Sequence, residues 1–206
     1  MTAATASGGV KTLAIGGGFA DPVRDSQATF RAVLDAMARP GRIVTPPLPV
    51  GTLPAAGLGP ATAAVALTLC DFETPVWLDP ALSAAAPWLR FHCGAPVIED
   101  PGKAAFAFAQ GPEALPALDR FDLGSEEYPD RSTTLILEVA GLEAEGGLRL
   151  TGPGIEDESR LAVAGLAAGW WQARAALGIL FPLGLDLILV AGDRLAALPR
   201  TTRVET

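Results

Sequence analysis

Leu-Asp-Leu-Ile-Leu-Val-Ala-Gly-Asp-Arg-Leu-Ala-Ala-Leu, residues 185–198, reads as two strands folded back on each other. Leu185–Val190 and Arg194–Leu198 flank Gly192-Asp193, a dipeptide suited to a two-residue hairpin turn. A hairpin joins antiparallel strands. Set among interleaved helices and strands, it predicts an α/β protein whose mixed sheet is covered by helices, rather than a strictly parallel sheet.

Working outward from the hairpin, Leu166, Trp170, Ala173, Leu177 and Leu180 recur at i, i+4, i+7, i+11 and i+14, a stripe that predicts a helix facing the core. Before it, Thr133–Val139 is rich in β-formers, Glu143–Gly147 reads as a turn, and Leu148–Thr151 as a returning strand. Gly152-Pro153-Gly154 then reads as the turn from that strand into the helix. Glu156, Asp157 and Glu158 would sit at its positive end, where they suit the helix dipole.

In the first half, Asp25–Arg39 predicts a helix with Phe30, Val33, Leu34 and Met37 on one face, capped by Asp25 or Ser26 and stopped by Pro40-Gly41. A Pro-rich connection runs from Pro46 to Gly59-Pro60, and Ala61–Leu69 reads as a buried helix. Thr74–Leu78, Leu89–His92 and Ala104–Ala109 are short strand candidates. Residues 1–18 are expected to form a flexible amino-terminal arm and residues 19–206 a single domain.

Half of the 206 residues are hydrophobic and the formal net charge is −8, which describes a folded protein with an acidic surface. Such a surface repels nucleic acid and anionic membranes, since phosphate contacts require clustered Lys and Arg. Residues 1–18 lack the apolar core of a signal peptide, and no later run is long enough to span a bilayer. With only Cys70 and Cys93 there is no disulfide framework, and a cytoplasmic protein is expected.

Several familiar chemistries lack their residues. Leu13-Ala14-Ile15-Gly16-Gly17-Gly18 suggests a dinucleotide fingerprint, but Asp21-Pro22 follows where a small residue is needed. Gly9-Val10-Lys11-Thr12 is not a phosphate loop, because Val10 stands where glycine precedes the lysine. His92 is the sole histidine, too few for the ligand sets of a metal centre. The two lysines, Lys11 in the arm and Lys103 in a surface turn, offer no desolvated amine for a Schiff base, so no pyridoxal phosphate or other cofactor is expected. A Gly-x-Ser-x-Gly elbow is also absent, and no catalytic residue is assigned.

What remains is anion recognition and assembly. Arg149 and Thr151 share a strand face, and Arg200-Thr201 follows the final hairpin strand. If those strands are neighbours, both arginines could converge on one anion, with His92 a third member. The competing expectation is that each arginine pairs with a nearby carboxylate such as Glu156 or Glu205, and the acidic run favours it. Trp170 belongs to the apolar stripe. Trp171 lies about 100° further round the helix, near Arg174, and these two are read as interface residues.

Six segments in order carry a family resemblance: Phe-Arg-Ala-Val-Leu-Asp-Ala-Met-Ala-Arg-Pro-Gly (30–41), Leu-Thr-Leu-Cys-Asp-Phe-Glu-Thr-Pro-Val-Trp-Leu (67–78), Leu-Arg-Phe-His (89–92), Leu-Arg-Leu-Thr-Gly-Pro-Gly-Ile (148–155), Phe-Pro-Leu-Gly-Leu-Asp-Leu-Ile-Leu (181–189) and Leu-Pro-Arg-Thr-Thr-Arg-Val-Glu (198–205). From about Phe19 to the carboxyl end the chain resembles the PhnH family, a subunit of the bacterial carbon–phosphorus lyase system. The resemblance implies a three-layer α/β/α fold akin to pyridoxal-phosphate-dependent transferases without the cofactor site. It implies a homodimer when isolated and a complex with PhnG, PhnI, PhnJ and PhnK. With PhnG, PhnI and PhnL, that system displaces adenine from ATP by a phosphonate to give a ribose 1-phosphonate 5-triphosphate, while PhnJ breaks the carbon–phosphorus bond. The alternative is a stand-alone small-molecule enzyme binding a phosphorylated ligand. The lack of a paired acid/base or nucleophile constellation favours the subunit.

Overall fold

The computed structural model describes residues 16–51 and 57–206. Helix α1 spans Pro22–Ala38, one turn earlier than Asp25 suggested: the Asp21 carboxylate accepts from Arg24 N at 3.1 Å and Pro22 opens the helix. Its inward face also differs. Thr29, Val33 and Ala36 are buried and Met37 packs beside them, whereas Phe30 and Leu34 are 51% and 56% exposed. The reason is the neighbour. α1 packs on α2 (Pro60–Leu69), whose residues 61–66 are all buried and mostly alanine, and small side chains allow the helices to approach closely.

The strands in chain order are β1 Val76–Leu78, β2 Val97–Ile98, β3 Phe106–Gln110, β4 Thr134–Glu138, β5 Gly141–Thr151, β6 Ser159–Ala164, β7 Asp186–Ala191, β8 Arg194–Leu198 and β9 Arg203–Glu205. Six of them form the main sheet in the order β2-β1-β3-β4-β7-β8, with β1, β2, β3, β4 and β7 parallel and β8 antiparallel. The hairpin at Gly192-Asp193 forms as expected, with Ala191 opposite Arg194 and Gly192 at φ +63°. Beyond β8, Val44 exchanges two backbone hydrogen bonds with Leu195 at 2.8 and 2.9 Å, so part of that edge is covered.

Side chains alternate between two cores, as the pleat requires. Val76, Phe108, Ile136, Ile188 and Val190 meet α1, α2 and α3 (Ala86–His92). Trp77, Ala107, Leu135, Leu187 and Leu189 face the other way. That second face is not covered by a helical layer alone, as a three-layer α/β/α sandwich would have it. A three-stranded antiparallel sheet, β6-β5-β9, lies over it together with helix α4 (Ala168–Ala176), contributing Leu142, Leu150, Leu161 and Trp171.

Three local expectations are corrected. Glu143–Gly147 is no chain-reversing turn: it is absorbed into the eleven-residue β5 as a register shift between Glu143 and Leu148, where Gly146 and Gly147 take φ of +75° and +65°. Glu156–Glu158 does not start a helix, because β6 follows and pairs antiparallel with β5, making 152–158 a strand-to-strand connection. Leu89–His92 is the end of α3, not a strand. Trp88 and Leu89 are both buried although adjacent, which a helix permits and an alternating strand does not.

The α4 stripe is also out of phase. The helix covers only 168–176 before a 3₁₀ turn, Leu177–Leu180, and its buried residues are Trp171 and Arg174. Ala173 is exposed, and Leu180 is 41% exposed. The expected interface residue Trp171 is therefore an internal one, 4% exposed and edge-on to Trp170 at 4.9 Å. Among the described residues, no helix is long and apolar enough to cross a membrane.

Candidate functional site

An open cavity of about 680 Å³ lies where α4 and the following 3₁₀ turn meet the β8–β9 connection. Leu177, Phe181, Leu183 and Leu185 make it partly apolar, and Thr151, Arg174, Arg200, Thr201, Thr202 and Arg203 add polar groups. Among the described residues, none on its wall carries a carboxylate, although the chain carries a net charge of −8.

Arg174 positions the connection. From the buried side of α4 it donates from Nη1 to Thr202 O at 3.1 Å, and from Nη2 to Leu198 O at 3.1 Å and Pro199 O at 2.9 Å. Burial pushes its guanidinium down to about 10, against the opposing pull of Asp186, so it keeps its charge at neutral pH. Arg200 is held from the other side. Its backbone N and Nε donate to Asp186 Oδ1 at 2.8 and 3.2 Å, and its Nη2 donates to Asp186 Oδ2 and Ser132 Oγ, both at 2.5 Å. Nη1 donates to Pro129 O. Those bonds commit the Arg200 head to the chain's own acceptors.

The sequence-based candidates thus separate. Thr151, Arg200 and Thr201 come together at the cavity, while Arg149 and His92 do not. Arg149 lies on β5, in the smaller sheet, and is not a sheet neighbour of Arg200. Its Nε donates to Glu158 at 2.6 Å and its Nη1 to Glu205 at 2.8 Å, the carboxylate-paired alternative, with Glu158 taking the place expected of Glu156. Hydrogen bonds from Arg149 and then Arg160 hold the Glu158 carboxyl below the usual carboxylate range.

His92 lies across the main sheet, at the end of α3. Its Nε2 is 3.2 Å from Gly16 O, its ring packs on Trp88 at 4.9 Å and Phe91 at 5.0 Å, and Trp88 Nε1 donates to Gly17 O at 3.0 Å. The glycines expected at the end of the arm are held against α3 by these bonds, and Gly18 also pairs with Val50. The rest of the arm, with Lys11, lies outside the described residues.

Other reactive groups are structurally engaged. Burial raises both thiols, Cys93 up to about 12 and Cys70 further, which keeps them protonated at neutral pH. Cys93 Sγ contacts Ala66 O at 3.5 Å. Lys103 is exposed, 3.6 Å from Asp100. Purified protein is accordingly expected to show no aldimine absorbance with added pyridoxal phosphate after desalting. Borohydride fixing the cofactor stoichiometrically to either lysine would contradict this. Among the described residues, no three His, Cys, Asp or Glu side chains cluster as metal ligands.

The sequence alone points to an interface role for Arg174 and gives Thr202 and Arg203 no site role of their own. A charge three residues from Trp171 on a mostly apolar helix was the available signal, obscured by the wrong helix phase.

A family model described as "Bacterial phosphonate metabolism protein (PhnH)" matches residues 17–205. The chain belongs to the PhnH family. It is 47% identical over 191 residues to the alpha-D-ribose 1-methylphosphonate 5-triphosphate synthase subunit PhnH of Rhizobium meliloti (strain 1021), covering 92% of this chain and 94% of that one. It is 38% identical over 179 residues to the putative C-P lyase subunit protein HtxG of Stutzerimonas stutzeri, covering 86% and 85% of the two chains. The PhnH family match takes in the whole cavity wall, from Thr151 to Val204.

Proposed function

We propose that this chain is a subunit of a carbon–phosphorus lyase complex in organic phosphonate catabolism. There it supports formation of α-D-ribose 1-alkylphosphonate 5-triphosphate from ATP and an alkylphosphonate. The observation that carries this is the near full-length 47% identity to a subunit named for that synthase. Its part is organisational rather than a catalytic one of its own. The groups most able to do chemistry are spent on the fold: His92 holds Gly16, Arg200 holds Asp186, and both thiols are kept protonated.

The partners in this reading are PhnG-, PhnI-, PhnJ- and PhnK-type subunits, and the compartment is the cytoplasm. Exposed apolar side chains support partner contacts, among them Phe72 at 74%, Phe91 at 64% and Ile179 at 89% exposure. A homodimer of the isolated chain rests on the family resemblance and on such side chains, Trp171 being internal. Kinship with pyridoxal-phosphate-dependent transferases belongs to the same reading, supported by the parallel run β2-β1-β3-β4-β7.

Co-expression of the tagged chain with the other subunits tests the assembly. Recovery of a stoichiometric complex is expected. A folded chain that elutes alone, with every other subunit absent from the eluate, would refute it.

A further inference from the structure

The cavity beside α4 contains two polar groups whose bonding is incomplete. Among the described residues, Arg174 Nε and Thr202 Oγ1 are buried without a hydrogen-bond partner, and both residues line the cavity. Arg174 is 9% exposed and Thr202 3% exposed, so water reaches neither freely. Buried polar groups are ordinarily satisfied, and an exception calls for a ligand, an ordered water or a cost in stability.

Among the described residues Arg174 also forms no ion pair. Its hydrogen bonds go to three backbone carbonyls, which satisfy Nη1 and Nη2 but supply no formal negative charge. Asp186, whose charge acts on Arg174, is already bound by Arg200. A guanidinium so placed has lost hydration without gaining a counter-charge, and an anion at its free edge would recover much of that loss.

A second cation stands at the same cavity. Arg203 lies directly opposite Thr151 in the β5–β9 pair, on the sheet face that Arg149 and Glu205 share, and both Thr151 and Arg203 line the cavity at the end of that pair. Arg203 is exposed and makes no ion pair among the described residues. The adjoining acidic groups Glu158 and Glu205 are both engaged by Arg149, which lowers their power to repel an anion nearby.

From this arrangement we infer that the cavity is a binding site for a phosphorus oxyanion carried on an organic group, held by Arg174, Thr202 and Arg203. The Arg174 Nε–H and the Thr202 hydroxyl donate to the oxyanion, and Arg203 adds a second positive charge at the cavity wall. Leu177, Phe181 and Leu183 contact the organic group, in a cavity whose size suits a small molecule. Arg200 and Thr201 shape the wall, while Arg149 and His92 take no part. The choice of phosphorus rests on the proposed phosphonate role. The existence of an anion site rests on the unpartnered cation and hydroxyl alone.

The test is calorimetric titration of methylphosphonate, inorganic phosphate and ATP into the full chain and into the co-purified complex. Wild type is compared with Thr202→Val and Arg203→Ala. Thr202→Val removes only the hydroxyl. If that hydroxyl serves no ligand, the variant melts at or above the wild-type temperature and binds as wild type does. The expected result is binding of at least one probe, weakened about tenfold or more in the variants, with melting temperatures undiminished. Tighter binding of methylphosphonate or ATP than of phosphate shows that the organic group is recognised, and equal binding shows that the oxyanion alone is. No binding of any probe in either setting, or unchanged affinity in both variants, overturns the inference. Assembly is read separately by co-purification, so loss of the site and loss of the subunit role are distinguishable.

Discussion

Trp171→Ala is expected to lower stability by about 3–5 kcal/mol, the range typical of removing a large aromatic from a packed core. The ring is 4% exposed and sits in the core formed by Leu135, Leu187, Leu189, Leu142 and Leu161, between the main sheet and the smaller one. For a chain of this size that loss corresponds to a fall in melting temperature of roughly 10 °C. Thermal denaturation checks the magnitude, and light scattering on the folded fraction checks the association state. An unchanged melting temperature with a changed association state would place the ring at an interface and contradict its internal position.

Arg174→Met is expected to cost nearly as much by a different route. Methionine keeps most of the apolar stem, so packing of the α4 face changes little. The loss falls on the carbonyls of Leu198, Pro199 and Thr202, which all accept from this one guanidinium. Leaving a buried acceptor unpaired costs about 1–3 kcal/mol. Two effects oppose the loss: a poorly compensated buried charge disappears, and the cavity admits water to part of the freed connection. A net destabilisation of about 2–4 kcal/mol is expected once these are set against each other. Arg149→Ala provides the contrast, since Arg149 is exposed and its ion pairs are screened by solvent. A melt in which Arg174→Met matches wild type would show that the β8–β9 connection holds itself.

The parts of the fold legible in the sequence were those set by short-range chemistry. Gly192-Asp193 fixes its own turn, and Ala61–Leu69 has no polar face to expose except Thr62 and Thr68, so its burial follows. Thr62 indeed turns inward and donates to Glu138 at 2.5 Å, while Gly59 N donates to the same carboxylate oxygen at 2.7 Å. This long-range cap, joining the end of β4 to the start of α2, has no local signature.

The parts not legible were decided by partners distant in sequence. β5 absorbs Gly146-Gly147 because β6 runs beside it on both sides of the register shift. β6 itself, Ser-Arg-Leu-Ala-Val-Ala, is too alanine-rich to announce a strand. The phase of α4 is not legible because the apolar stripe runs from Leu166 to Leu180, and neither lies within the helix. Trp171 and Arg174 fall off that stripe although the fold buries both. The cavity is illegible for the same reason, since Arg174 reads as an interface residue and nothing local marks Thr202 or Arg203 as its neighbours. Thr151, Arg200 and Thr201 were legible as wall residues because each follows or ends a strand at one edge of the fold.

Service in phosphonate use as a subunit of a carbon–phosphorus lyase complex is tested most directly by growth. The gene is deleted in its host, and the strain is grown with methylphosphonate or inorganic phosphate as the sole phosphorus source. Growth on methylphosphonate is predicted to be lost and to return with the intact gene, while growth on phosphate is unaffected. A deletion strain that grows on methylphosphonate as well as its parent would contradict the account.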